Sequence, residues 1–301
     1  MKQEINLCKL IEEFGSESKC REYLEALRWP DGVMCPRCGW KSVSRVILRN
    51  QYDCNSCRYQ FSVGAGTIFN DSHLPLWKWF LATYLMCESR KGISANQVKR
   101  TLGISYKTAW YLCHRIRKAM EEGLKPHLGG IVEVDETYVG GKKVGHGLGR
   151  GGVGKEIVIG IRQRGGDLRF FHAPNAKAKT LKYIIDNNIS DDVEVIMTDE
   201  FSSYPFALKQ SGKLAKHKTI QHKRRKYVDG MIHTNTVESS FSLLKRGIVG
   251  TWHRLSAKHL AAYLDEMTWR FNNRNNPYLF RDTMMRLIAS ENLEYKKLTA
   301  A

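Results

Sequence analysis

The spacing of apolar residues divides the chain into stretches of different character. Residues 7–28 carry Leu7, Leu10, Ile11 and Phe14, then Tyr23, Leu24 and Leu27, at the three-and-four spacing of helices with one buried face, and Ser16 stands where a helix would be capped. Residues 44–48 have a β-like pattern, and the run LPLWKWFLATYLMC (residues 74–87) reads as an apolar helix placed in a core. From Ser94, a helix to Leu102, a Gly103-Ile104-Ser105 turn and a second helix from Tyr106 to about Met120 make the arrangement of a helix-turn-helix.

The pattern changes after Gly129-Gly130. IVEVDETYV (131–139), EIVIGIRQR (156–164) and LRFFH (168–172) read as strands; a helix over 177–189, a strand over 193–198, a short helix over 203–211 and a strand near 218–221 follow. Helices fill 236–247, 256–272 and 280–291. Three strands in succession, then alternating helix and strand, predict an α/β domain with a mixed sheet and helices against its faces. The expected division is residues 1–70 (an N-terminal helix and a cysteine module), 71–128 (the helix-turn-helix region) and 129–301 (the sheet domain with the C-terminal helices).

Composition narrows the function. At 301 residues, 42% hydrophobic and 26% charged, the chain is too apolar for a disordered tail, and no run of about 18 apolar residues marks a membrane span. The start MKQEINLCKL has an acid where a signal peptide places its basic and apolar regions, so a cytoplasmic location is expected. Lys and Arg number 48 against 30 Asp and Glu, a net charge of +18 that points to a polyanionic partner.

Eight cysteines are too few for a disulfide scaffold, and four fall in two pairs: Cys35-Pro-Arg-Cys38, fifteen residues, then Cys54-Asn-Ser-Cys57. Two such knuckles supply the four thiolates of a tetrahedral zinc, so a four-cysteine zinc ribbon with one structural Zn²⁺ is expected. Cys8, Cys20, Cys87 and Cys113 read as small buried apolar residues.

Residues 89–118 hold eight basic residues and no acid, among them Lys99, Arg100, Lys107, Arg115 and Arg117. A solvated helix face mixes signs, so a single-signed stretch suggests phosphate contact, with a basic packed helix pair as the alternative. Residues 216–226 hold six Lys and Arg, including Lys223, Arg224, Arg225 and Lys226, and read as a DNA-contacting loop. Residues 149–155 imitate a phosphate-binding loop, but Glu156 stands where a Ser or Thr belongs and a strand follows, so that reading is rejected; the glycine-rich residues 140–155 read as a flexible connection.

Three acids stand out. Asp135 lies on the strand over 131–139, Asp199 follows the strand over 193–198, and Glu238 opens a helix. Carboxylates from neighbouring strands and one helix suit a pair of Mg²⁺ (or Mn²⁺) ions with substrate phosphate completing the shell. Taken singly, each also has a plain reading, Asp as a turn former and Glu as a helix-dipole partner.

Together these blocks resemble the zinc-ribbon, ISXO-two-like branch of bacterial DDE insertion-sequence transposases. The likeness rests on REYLEALRWPDGVMCPRCGW, FSVGAGTIF, VDETYVGGK, MTDEFSSY and HTNTVESSFSLLKRGIVGTWHRLSAKHLAAYLDEMTWRFNNR, and spans roughly residues 14–276. It implies a ribonuclease-H-like catalytic domain, with Asp135, Asp199 and Glu238 as the metal-holding acids and Lys245, seven residues beyond Glu238, as the basic residue that contacts phosphate or orients the DNA end. It also implies cleavage at the ends of an element, attack of the freed 3′-hydroxyl on target DNA, double-stranded DNA as partner and a homo-oligomer in the synaptic complex. A non-catalytic DNA-binding regulator and a nuclease that cuts without joining are the alternatives. His233 and Asn235 also match the last block, and a structural role is expected of them.

Overall fold

The computed structural model describes residues 5–123, 125–140, 154–220, 233–253 and 255–300. The chain divides into two units, residues 1–121 with 273–301, and residues 122–272.

In the first unit, the amphipathic start forms α1 (Leu7–Phe14) and α2 (Glu17–Arg28), with Ser16 capping α2 by accepting from Lys19 N at 3.4 Å. A three-stranded antiparallel sheet follows, β1 (Val43–Val46), β2 (Gln51–Cys54) and β3 (Gln60–Phe61). Trp29, Tyr52 and Phe61 form its small aromatic core, ring centroids 5.7 to 5.9 Å apart. The apolar run becomes α3 (Leu76–Glu88), and α4 (Ala95–Leu102) and α5 (Tyr106–Met120) are joined by a turn in which Gly103 takes φ +60°, the left-handed cap that ends α4.

The expected domain division differs from this arrangement. The ribbon and the helices after it share one unit, and the chain's end belongs with them: α10 (Leu279–Ala289) packs against α2, α3 and α5. Phe280 enters an aromatic cluster with Phe14 and Phe80, centroids 6.2 and 6.0 Å away. An apolar stripe announces that a helix is packed but carries no address for its partner, so chain order groups it with the sheet.

The second unit is a five-stranded mixed sheet in the order β6-β5-β4-β7-β8. β4 (Ile131–Val139), β5 (Glu156–Gln163) and β6 (Leu168–Ala173) are antiparallel; β7 (Val195–Thr198) and β8 (His217–Thr219) run parallel to β4. Alternation sends Val132, Val134, Ile159 and Ile161 to one face, where they share a core with Leu181 and Ile185 of α6 (Ala178–Asp186) and Leu208 of α7 (Ser203–Gln210). Val139, Val158 and Phe170 turn to the other face, against Val237 and Phe241 of α8 (Asn235–Gly247) and Leu264 of α9 (Ala257–Asn272). A π-helical turn at Ile248–Trp252 extends α8, and α11 (Tyr295–Thr299) ends the chain in the first unit. Among the described residues no helix is long and apolar enough to cross a membrane.

Candidate functional site

The four paired cysteines meet. Cys35 Sγ lies 3.7 Å from Cys57 Sγ and Cys38 Sγ 3.6 Å from Cys54 Sγ, and all four sulfurs fall within 4.8 Å of one another. Zinc at about 2.3 Å from each of four tetrahedral thiolates sets sulfur separations near 3.8 Å, so the donors fit that ion. The two knuckles are built alike: Gly39 N donates to Cys35 O and Arg58 N to Cys54 O, both at 2.9 Å, with Gly39 and Arg58 at φ +73° and +58°. Four thiolates complete the shell of a tetrahedral zinc and leave no position for a reactant, the donor set of a structural site.

The second cluster arises where β4 and β7 part. The parallel register sets Glu133 opposite Met197, and two further residues along each chain stand Asp135 and Asp199, the latter directly after β7. A step of two returns to the same face, so topology alone brings these acids together. One oxygen from each of Asp135, Glu136 and Asp199 lies within 4.8 Å of the other two. Backbone and side-chain donors hold the acids: Glu136 N to Asp135 Oδ1 at 2.9 Å, Phe201 N to Asp199 Oδ1 at 2.9 Å, and the Tyr204 hydroxyl to Glu136 Oε2 at 2.7 Å. Burial pushes the Asp135 carboxyl up to about 8, and the carboxylates of Glu136, Asp199 and Glu238 add to the shift. Tyr204, fully buried beside Glu136, is pushed well above its ordinary value and stays a donor. An all-oxygen set this crowded with negative charge suits a hard divalent cation.

Helix α8 closes over this end of the sheet. Gly160 pairs with Asp135 across β4 and β5, and a Cβ there would stand 2.8 Å from Phe241 Cζ and 3.0 Å from Val237 Cγ2. Only glycine lets α8 approach so closely.

Residues 127–272 match the ISXO2-like transposase domain, and residues 15–60 the transposase zinc-ribbon domain. Over 273 aligned positions, which take in 84% of this chain and 90% of the relative, the chain is 31% identical to an uncharacterized protein in transposable element ISH50 of Halobacterium salinarum. The chain belongs to the ISXO2-like transposase family. The zinc-ribbon match takes in all of the clustered cysteines, Cys35, Cys38, Cys54 and Cys57.

Within this family member, the acids expected from the sequence are distributed unevenly. Asp135 and Asp199 meet, whereas Glu238 stands outside the three-oxygen group, near enough for its charge to act on Asp135, with its Oε1 accepting from Thr234 Oγ1 at 2.7 Å. Lys245 is exposed on the last turn of α8. Glu136 escapes a reading by strand alternation, which assigns neighbours to opposite faces; the doublet Asp135-Glu136 is the signal the sequence offers for it.

The expected phosphate contacts separate as well. Lys99, Arg100 and Lys107 of the transposase's α4 and α5 are exposed. Arg115 and Arg117 are not available: they are 3% and 2% exposed. Arg115 donates to Asn70 O at 2.6 Å and Asn292 Oδ1 at 3.0 Å and stacks on Trp79 and Tyr111, so it is a packing residue of the first unit. A count of basic residues along a helix does not distinguish its buried face from its wet one. Lys223, Arg224, Arg225 and Lys226, and most of the glycine-rich 140–155 stretch, lie outside the described residues.

Proposed function

We propose that this chain is a DNA transposase that binds the ends of an insertion sequence, cleaves phosphodiester bonds and joins the 3′-hydroxyl ends to target DNA, working as a homo-oligomer on paired double-stranded ends. The observation that carries the reading is the meeting of Asp135 and Asp199 at the point where parallel β4 and β7 diverge, in a chain of this family. The order β6-β5-β4-β7-β8, with three antiparallel strands leading into a parallel pair, supports a ribonuclease-H-like fold for the sheet unit. The turn between α4 and α5, with Lys99, Arg100 and Lys107 exposed, supports a helix-turn-helix on DNA.

Asp135 and Asp199 would hold a pair of Mg²⁺ (or Mn²⁺) ions, with Glu136 at the same cluster and Glu238 adding a carboxylate from α8. When bound, such ions activate the attacking water or hydroxyl and stabilise the leaving oxygen. Burial and the neighbouring carboxylates favour the protonated form of Asp135, and a bound cation would favour the ionised one. Tyr204 keeps Glu136 in place without surrendering its own proton. Lys245 contacts DNA phosphate, and the zinc held by the four cysteines keeps the ribbon folded for end recognition.

The test is Asp135→Ala in the full-length protein with element-end DNA and Mg²⁺. Cleavage and joining are abolished while end binding stays near wild type; a variant that still nicks the ends refutes the assignment. Transfer of a pre-cut end into a plasmid separates a transposase from a nuclease of the same fold, which gives no joined product, and a DNA-binding regulator does neither.

A further inference from the structure

Glu133 is fully buried, yet it lies two residues before Asp135 on the same face of β4 and takes no part in the carboxylate cluster. A buried carboxylate is costly unless its oxygens are filled. Glu133 Oε2 accepts from Thr236 N at 2.9 Å, Thr236 Oγ1 at 2.7 Å and Val237 N at 3.0 Å, while Oε1 accepts from Arg164 Nε at 2.7 Å. Arg164 is itself oriented by His233: its Nη2 donates to the His233 carbonyl at 2.8 Å and lies 2.9 Å from Nδ1.

Thr236 N and Val237 N are orphan donors of the first turn of α8, the pair an N-cap side chain ordinarily satisfies. The residue at the N-cap, Thr234, makes no such bond; its hydroxyl donates to Glu238 Oε1 instead. The cap is thus supplied from the sheet, by a charge placed favourably at the positive end of the helix, and the local cap hydroxyl is released to hold a carboxylate.

We propose that Glu133, clamped by Arg164 and His233, is a positioning residue that docks the first turn of α8 onto β4 so that Thr234 can aim Glu238 at the site of Asp135 and Asp199. It gives His233 its place in the molecule. The inference rests on the reading of Asp135, Asp199 and Glu238 as the metal-holding acids. Glu133 touches neither ion nor DNA and acts only through Glu238.

The experiment is a Mn²⁺ titration of full-length protein, followed by the resonance signal of free Mn²⁺, for wild type, Glu133→Gln, Arg164→Lys and Glu238→Ala, and for each of the first two combined with Glu238→Ala. Losses of outer-shell partners weaken metal binding by about 10- to 100-fold, and a loss in that range is expected of Glu133→Gln and of Arg164→Lys, which keeps the charge but forfeits the fork. Each double variant should bind no more weakly than Glu238→Ala alone. Losses that multiply in the doubles, or Mn²⁺ binding unchanged in both single variants, would overturn the proposal. Should Glu133→Gln fail to fold, Arg164→Lys carries the same comparison. Asp135→Ala is the control beneath it: if that variant binds Mn²⁺ like wild type, the reading of the cluster itself has failed, and not only the clamp.

Discussion

The two clusters of side chains that could hold a metal are built on opposite plans. The cysteine cluster draws each pair of ligands from one tight turn, so short-range geometry makes half the site before any tertiary contact forms. The carboxylate cluster draws on residues 64 positions apart, Asp135 and Asp199, and exists only once β4 and β7 pair. The first is closed and fits a single ion tetrahedrally. The second buries one carboxyl among like charges, and that burial, with the neighbouring carboxylates adding to it, raises Asp135 to about 8.

The largest effect that would break this contrast is removal of the cysteines. Replacing Cys35 and Cys38 with Ser should take bound zinc from one ion per chain to none and unfold the ribbon, because structural zinc contributes on the order of 10 kcal/mol to such a module. Hydrogen exchange should show protection lost over β1 to β3 and kept over β4 to β7. Retained ribbon protection without zinc would make the two sites alike.

Next in size is Gly160→Ala, which forces a methyl into Phe241 and Val237. A cost of about 1–3 kcal/mol is expected from overpacking, read as a lower denaturant midpoint with the slope unchanged. An unshifted midpoint would mean that α8 is not seated so tightly over Asp135.

The raised carboxyl of Asp135 gives a smaller, pH-dependent effect. A carboxyl raised from 3.8 to about 8 in the folded state binds a proton more tightly there than in the unfolded chain, so stability is lost as pH rises through that window and the loss is complete above about 8. Asp135→Asn does not titrate. It should therefore melt a few degrees above wild type near pH 9 in chelator, with the gap closing toward pH 4, about the scale of a modest stability change in a unit this size. A gap independent of pH would contradict the assignment of the raised carboxyl.

The smallest effect separates exposed from buried cations in the first unit. Lys99→Ala should lower the slope of log affinity against log salt by about one on end DNA without changing stability, whereas Arg115→Ala should lower stability and leave that slope alone. The reverse pattern would return Arg115 to the DNA-contacting set.

What could be read from the chain follows the same contrast. The ribbon, the α4 turn and the succession of strands along the second unit were legible because their signals are local: paired cysteines, Gly103, period-two runs. The approach of Asp135 to Asp199 was legible because each closes an apolar strand segment. Glu133 and Glu136 were not, since one is hidden by caps that cross between strand and helix and the other by the rule that neighbours on a strand diverge. The homing of α10 onto α2, α3 and α5 was invisible for the same reason: a buried stripe names no partner.

If Asp135 and Asp199 hold a divalent ion between them, a crystal of the full-length protein soaked in Mn²⁺ reveals it directly. An anomalous peak is expected within coordinating distance of oxygens from both residues. Mn²⁺ bound elsewhere in the crystal, with none between these two carboxylates, would contradict it.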